Sequence, residues 1–296
     1  MIKVSIIIPV YNNSKSIQKT LKNISDQTYS KELVELIVVD NDSTDGICEI
    51  IKSYDNILYL TEKNYPNSPY SARNRGIEVA KGEVIVLLDA TCHPVNTWLE
   101  EGIKCMKESK ADIVGGDVRF DLGEYITASK IYDSLTNVKM RESITGRGVA
   151  KTGNLFIKKD IFDRVGLFPE GIRSGGDVRW TKQATNNGVN LKFCKDAFVL
   201  YKARPFFKLI KKQWRVGKAQ PVIWKEQNIK RNYFKALITM LIPPKRKNIY
   251  KLIDNRGEEW MKSYTFRLMF VSYCVKIVMG IANCYGAYLA RSKKDK

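Results

Sequence analysis

The 296-residue sequence predicts an α/β protein, a mostly parallel sheet flanked by helices, followed by a basic, apolar helical region. Two observations predict the sheet. Apolar β-branched runs that suit strands buried on both faces alternate with stretches of helical apolar spacing, the order that right-handed parallel crossovers require. Three of those runs end on polar groups, at Tyr11-Asn12-Asn13, Asp40-Asn41-Asp42 and Asp89. Charge predicts the trailing region. Residues 201–296 hold 23 Lys and Arg against 5 Asp and Glu, a net +18, so the first 200 residues carry only +1 of the chain's +19.

The elements follow in order. VSIIIPV (4–10) is the first strand, a continuous run without alternation. Ile17, Leu21 and Ile24 then fall at helical spacing with polar residues between them. VELIVVD (34–40) is the second strand, DGICEIIKSY a second helix and NILYL (56–60) the third strand. SARNRGIEVAKG reads as a helix closed by Gly82 at its C′ position, and EVIVLLD as the fourth strand. Residues 97–108 read as a helix and ADIVGGDVRF as a strand. Between 120 and 150 the pattern is mixed, with SKIYDSLTNVKM helical and TGRGVAKTG a glycine-rich basic loop. A strand at NLFIKK, a short helix, a loop and a helix beginning near Asp177 follow. NLKFCKDAFVLYKA closes this region near residue 203. The expected division is therefore 1–203 and 204–296.

Composition narrows the class. The six cysteines, at 48, 92, 105, 194, 274 and 284, form no CxxC pair and no zinc spacing, which reads as free thiols in a reducing compartment. The apolar run near the N-terminus is too short for a signal peptide and suits a buried strand.

The basic region reads as membrane-associating. In RPFFKLIKKQWRVGKAQ, aromatic and aliphatic residues interleave with Lys208, Lys211, Lys212 and Arg215, as in an interfacial helix on anionic headgroups. YFKALITMLIPPKRK has about ten apolar residues before a Pro pair, too few to cross a bilayer. Residues 268–290 hold one charge, Lys276, and RSKKDK follows. The length suits a span with a cytoplasmic basic flank, while the central Lys276 and Asn283 suit an in-plane or re-entrant helix. Both readings stand at this point.

In open parallel sheets, ligands sit beyond the carboxyl ends of the strands. One polar strand end is an ordinary cap or turn, but three together point to a site. Asp89 ends a buried strand and precedes Thr91 and the chain's one histidine, His93.

Four segments in this order resemble the inverting family 2 glycosyltransferases of GT-A fold, over roughly residues 3–220. They are VSIIIPVYNN, VELIVVDNDSTDG, SARNRGIEVAKGEVIVLLDA and FDRVGLFPEGIRSGGDVRW. Bacterial enzymes of exopolysaccharide and lipid-linked glycan synthesis are the nearest in character. The resemblance implies a nucleotide-binding half (1–115) and an acceptor-binding half (116–203). It implies a nucleotide-sugar donor held by Pro9, Tyr11, Asn12, Asp40, Asp42, Arg73 and Asp89. Asp177 would be the general base, with Gly176, Arg179 and Trp180 near the acceptor. The family's metal-binding Asp-x-Asp is reduced here to Asp89-Ala90-Thr91, and its Glu-Asp pair to Gly176-Asp177. A divalent cation, Mg²⁺ or Mn²⁺, would be held by Asp89 with Thr91 or His93, and Arg73, Lys151 or Arg173 would share the diphosphate charge.

The expected reaction is sugar transfer to a hydroxyl of a lipid-linked or growing glycan, at the cytoplasmic face of a membrane. Polyprenyl phosphate is an alternative acceptor. A nucleic-acid-binding protein would explain the basic tail but not a neutral front with acids at three strand ends, so no nucleic acid is expected as a partner. A donor-binding homologue without catalysis is the remaining alternative. Nothing in the sequence speaks to oligomeric state.

Overall fold

The structure, a computed structural model, describes residues 2–226, 228, 229, 231, 232 and 238–292, with only the backbone at 291 and 292. Residues 233–237, which open YFKALITMLIPPKRK, and 293–296 of RSKKDK lie outside the described residues.

Strands β1 (Val4–Val10), β2 (Val34–Asp40), β3 (Ile57–Thr61) and β4 (Val84–Leu88) pair in parallel in the order β3-β2-β1-β4. β1 lies between β2 and β4, and Ile6, Ile7 and Ile8 are fully buried. This is why its sequence has no polar alternation: both of its faces are covered. Helices α1 (Ser14–Ser25), α2 (Ile47–Lys52) and α3 (Pro69–Val79) make the crossovers. The register Val10↔Asp40↔Thr61 brings the carboxyl ends of three strands level.

Beyond β4 the parallel pattern is interrupted by strands that run the opposite way. β7 (Asn154–Lys158) pairs antiparallel with β4 and with β6 (Ile113–Asp121), and β5 (Cys92–Pro94) pairs antiparallel with β8 (Leu191–Lys202). The eight strands run β3-β2-β1-β4-β7-β6-β8-β5. β5 is too short to show a pattern, so its strand character comes from pairing with β8 alone. The remaining helices of this part are α4 (Trp98–Glu108), α6 (Met140–Arg147), α7 (Ile161–Val165) and α8 (Gly176–Asn186).

Gly82 has a different duty from the one expected. α3 ends at Val79 with Ala80 as its cap. A Cβ on Gly82 would lie 2.4 Å from the Ser5 backbone nitrogen. The glycine lets the turn into β4 run against β1, and its amide donates to Ser5 Oγ at 2.8 Å.

The chain forms two compact units. One comprises Met1–Arg119 with Val138–Tyr201, and the other Phe120–Asn137 with Lys202–Lys296. The sequence reading kept 116–203 together, whereas Phe120–Asn137 groups with the basic region. The reason is apolar packing. Ile131 and Leu135 of α5 (Ala128–Thr136) are buried with Leu209 of α9 (Phe206–Glu226), Ile253 of α10 (Arg246–Arg256) and Leu268 of α11 (Thr265–Ser292). Asp133, fully buried on α5, accepts from the Arg204 backbone N–H at 2.9 Å and pairs with the Arg204 guanidinium at 3.1 Å. Removing the Arg204 side chain would strip the fully buried Asp133 carboxylate of its ion pair.

α9 and α11 run side by side in the same direction, with Phe206 stacked on Phe270 and Trp214 on Tyr285 at 6.4 and 6.1 Å. A Cβ on Gly286 would lie 2.2 Å from the Lys218 carbonyl oxygen, so the glycine permits the close approach. One stripe of α11 is buried through Leu268, Val271, Val275 and Ala282. The opposite stripe carries Phe266, Phe270 and Tyr288, which are 76%, 63% and 67% exposed. Among the described residues, one helix, Glu259–Ala290, is long and apolar enough to cross a membrane, with mean hydropathy 1.5 and 22% of its apolar window buried.

Candidate active site

α3 organises the site. Pro69 occupies its first turn and Ser68 caps it, accepting from Ser71 N–H at 3.3 Å, an N-terminal signature that fixes where the following side chains point. Arg73, one turn in, is 3% exposed. It donates through one terminal nitrogen to the Pro69 carbonyl at 3.0 Å and through the other to Asp89 Oδ1 at 2.5 Å. Its buried Nε has no hydrogen-bond partner. The Asp89 side chain is 44% exposed. Arg73 is thus aimed at the end of β4, and its charge is already engaged by Asp89.

The same helix reaches the expected base. The Tyr70 ring lies 5.5 Å from the Arg73 guanidinium, and its hydroxyl donates to Asp177 Oδ1 at 3.1 Å. Asp89, Arg73, Tyr70 and Asp177 therefore form one continuous contact chain. Burial, and next the negative charge of Asp177, raises the Tyr70 pKa far above the usual phenol range, so the hydroxyl remains a neutral donor. Asp177 Oδ2 lies 4.0 Å from Lys151 Nζ.

Asp177 is the second residue of α8, not its cap. The cap is Gly175, in the left-handed region at φ 86°. Gly176 is buried, and a Cβ there would lie 2.8 Å from the Tyr70 ring. A side chain at this position would meet the Tyr70 ring. Gly176 is thus a packing residue beneath Tyr70 rather than an acceptor contact.

The loop before α8 is fastened to α3 by the SARN segment. Ser68 Oγ donates to the Ile172 carbonyl at 2.9 Å, and Ser71 Oγ accepts from Gly171 N–H at 3.1 Å. Asn74 donates to the Phe168 carbonyl at 2.9 Å and accepts from the Phe168 amide at 3.0 Å. One short helix thus carries the arginine and fastens the loop that leads to the carboxylate on α8.

At the end of β2, Asp40 is 5% exposed. It accepts from Ser43 N–H at 3.0 Å and from Tyr59 hydroxyl at 2.8 Å. Asn12, in a left-handed turn at φ 49°, accepts from Thr44 N–H at 2.8 Å, and its own amide donates to Ser43 Oγ at 2.9 Å. These bonds tie the turn after β1 to the turn after β2. Pro9 pairs with Val39 inside the sheet, while Tyr11 and Asp42 are exposed beside it. The donor-side residues expected from sequence thus gather at adjacent strand ends, with Asn12 and Asp40 already satisfied within the chain.

The metal expectation is met only in part. His93 sits on β5 with Nδ1 3.1 Å from Thr20 Oγ1. The Thr20 hydroxyl also reaches the Ala90 carbonyl at 2.9 Å, and the His93–Thr20 bond forms with either tautomer of the ring. This bond fastens β5 to α1. Among the described residues no group of three or more His, Cys, Asp or Glu is arranged to hold a metal. What remains is Asp89 Oδ2, which a Cβ on Gly153 would approach to 3.0 Å, so the glycine keeps space beside that oxygen. One hard oxygen with room around it fits a cation that takes most of its ligands from diphosphate and water; it does not make an all-protein cage.

Trp180 corrects another expectation. It is 1% exposed, stacks on Phe162 at 5.1 Å and donates through Nε1 to the Gly166 carbonyl at 2.7 Å. It belongs to the core beneath α8. Arg179 on the same helix is half-buried. Tyr70, conversely, escaped the sequence reading. The available signal was a large aromatic at the second position of a capped helix, three residues before the arginine.

The chain resembles known proteins along its whole length. It is 40% identical to glycosyltransferase AglE of Haloferax volcanii, over 99% of this chain and 98% of that one. It is 31% identical to poly(ribitol-phosphate) beta-glucosyltransferase of Bacillus spizizenii, over 62% of this chain but only 29% of that longer protein. Its fold matches that of mannosyltransferase PcManGT of Pyrobaculum calidifontis, solved with GDP-Man and Mn²⁺. That match has TM-score 0.66 and 18% identity and covers 96% of this chain and 87% of the other. The model of "Glycosyl transferase family 2" matches residues 5–166, and the chain belongs to that family: it is a glycosyltransferase of GT-A fold.

Proposed function

We propose that the protein transfers a sugar, with inversion, from a UDP- or GDP-sugar to a hydroxyl of a lipid-linked or growing glycan in cell-surface polysaccharide synthesis. The observation that carries this reading is the chain of contacts from Asp89 through Arg73 and Tyr70 to Asp177, which joins the polar strand end of β4 to a single positioned carboxylate.

Asp40, Tyr11, Asn12, Pro9 and Asp42 border the nucleoside, and Arg73 and Asp89 lie toward the diphosphate. Inversion needs one base. The acceptor O–H gives its proton to Asp177 Oδ2, the acceptor oxygen forms the bond to the anomeric carbon, and the nucleoside diphosphate departs with the bonding electrons. Asp89 Oδ2 is the protein ligand we assign to Mg²⁺ or Mn²⁺. When bound, the cation supplies charge neutralisation at the leaving diphosphate. Lys151 carries a second positive charge beside Asp177.

The second unit associates with an anionic membrane surface at its cytoplasmic face, where lipid-linked acceptors are presented. The exposed aromatic stripe of α11 and the cations of α9 support this reading. The buried inner stripe of α11 favours a helix lying along the membrane over one crossing it.

The test is calorimetric binding of UDP- and GDP-sugars with Mg²⁺, with Mn²⁺ and with EDTA, followed by release of nucleoside diphosphate by wild type and Asp177→Asn. Binding of one donor class, with turnover lost in Asp177→Asn by about 10³-fold and binding kept, is the expected result. No donor binding under any condition overturns the reading.

A further inference from the structure

We propose that Tyr70 is a positioning residue for the base: its ring occupies the space beside Gly176, and its hydroxyl holds Asp177 so that Oδ2 receives the acceptor proton. This rests on Asp177 being the base, as proposed above.

Three observations carry it. First, the space is exclusive. A Cβ at position 176 would lie 2.8–2.9 Å from three atoms of the Tyr70 ring, so a side chain at 176 and the ring cannot both keep their places. Real Cβ atoms do not approach so closely, and the ring is 5% exposed inside packed surroundings. Glycine at 176 and tyrosine at 70 are therefore one arrangement, in which the ring of a residue on α3 occupies the space beside α8.

Second, the two carboxylate oxygens are made unequal. Oδ1 accepts from the Tyr70 hydroxyl at 3.1 Å and from the Val178 amide at 2.9 Å. Oδ2 has the longer 4.0 Å approach of Lys151 Nζ. Two donors on one oxygen fix the carboxylate plane and leave the other oxygen as the proton acceptor. A base held in one orientation reacts from a larger fraction of its conformations than one free to rotate.

Third, the donor is of the right kind. A buried tyrosine hydroxyl next to a carboxylate stays protonated, so it donates and never competes as a base. The Tyr70 ring also lies against Arg73, which holds Asp89, so the same side chain sets the spacing between the donor end and the base. In the transfer step the acceptor O–H bond breaks and Oδ2–H forms. The Oδ1 hydrogen bond persists throughout, and Tyr70 exchanges no proton.

The experiment has two arms on the full-length protein. The first needs no substrate: proton NMR of the Tyr70 hydroxyl, identified by its loss in Tyr70→Phe. A slowly exchanging, downfield hydroxyl proton in wild type that moves upfield in Asp177→Asn is the expected result. A signal indifferent to Asp177→Asn overturns the proposal. The second arm is turnover of the UDP- or GDP-sugar that binds in calorimetry. Tyr70→Phe keeps the ring, and is expected to lower kcat about tenfold while the donor KM stays within about twofold. Gly176→Ala disturbs the contact from the opposite side and is expected to lower kcat to a similar extent. Adding it to Tyr70→Phe should cost little more, because both remove one interaction. Wild-type kcat in Tyr70→Phe overturns the proposal. Undiminished turnover in Asp177→Asn overturns the base assignment instead, and the NMR arm then still reports whether Tyr70 and Asp177 are joined.

Discussion

Arg73 and Asp89 are bound at 2.5 Å, yet one is 3% exposed and the other has a 44% exposed side chain. The pair therefore joins interior to solvent at the end of β4. The arginine is held by the fold, and the aspartate faces whatever enters. Asp89 consequently has two duties, compensating a buried guanidinium and keeping a partly exposed carboxylate at the strand end.

Asp89→Ala is expected to lower stability as well as donor binding, because it strands a buried charge whose Nε already lacks a partner. Partial exposure of Asp89 limits the cost to about 1–3 kcal/mol. Differential scanning calorimetry of Asp89→Ala and Asp89→Asn checks this. Equal melting temperatures for wild type and Asp89→Ala would show that the guanidinium finds water instead.

Trp180→Ala should cost about 3–5 kcal/mol of stability, because a fully enclosed ring is lost from the Phe162–Phe168 cluster. Trp180→Phe, which keeps most of the packing, should leave acceptor KM unchanged. Denaturant unfolding and acceptor titration together separate core from acceptor contact.

His93→Ala should leave the cation dependence of donor binding unchanged while removing the Thr20 bond, at about 1 kcal/mol. Calorimetry of donor binding across a Mn²⁺ series reads the first, thermal melting the second. A weakened Mn²⁺ requirement in His93→Ala would return this residue to the metal.

Alkaline pH should destabilise the fold through its buried tyrosines. Burial, together with Asp177 at Tyr70 and with Cys48 and Asp40 at Tyr59, raises both hydroxyl pKa values above 10. A folded pKa above the unfolded one means stability is complete below about pH 10 and is lost as pH rises further, since the unfolded chain releases its protons first. The double variant Tyr59→Phe with Tyr70→Phe should show a flatter decline between pH 9 and 11 in about 1 M urea series.

Gly82→Ala should destabilise by more than the usual 0.5–1 kcal/mol gap between glycine and alanine, reaching roughly 2–3 kcal/mol. The methyl group would meet the backbone of β1, which cannot rotate away. A chemical denaturation midpoint equal to wild type would place Gly82 back in the role of a helix terminator.

By itself the sequence determined the parallel half of the sheet, the strand ends that gather the polar residues, and the split between a neutral front and a basic back. These are legible because they are local: a strand buried on both faces must be apolar throughout, and a strand end must turn within a few residues. It also pointed to Asp40, Arg73, Asp89 and Asp177, since their motifs are contiguous in the chain. What only the tertiary structure decided was which side chains share a space. The antiparallel pairings of β7 with β4 and β6, and of β5 with β8 across more than 100 residues, join segments far apart in the chain, which leaves no local pattern. The resemblance of the segment ending in Trp180 to the family's acceptor loop implied an acceptor contact, but helical rotation turns this side chain into the core. Phe120–Asn137 groups with the basic region because its apolar stripe is matched by α9 and α11. Tyr70 and Gly176 lie 106 positions apart, and only their packing shows that the absence of a side chain at one is the presence of a ring at the other.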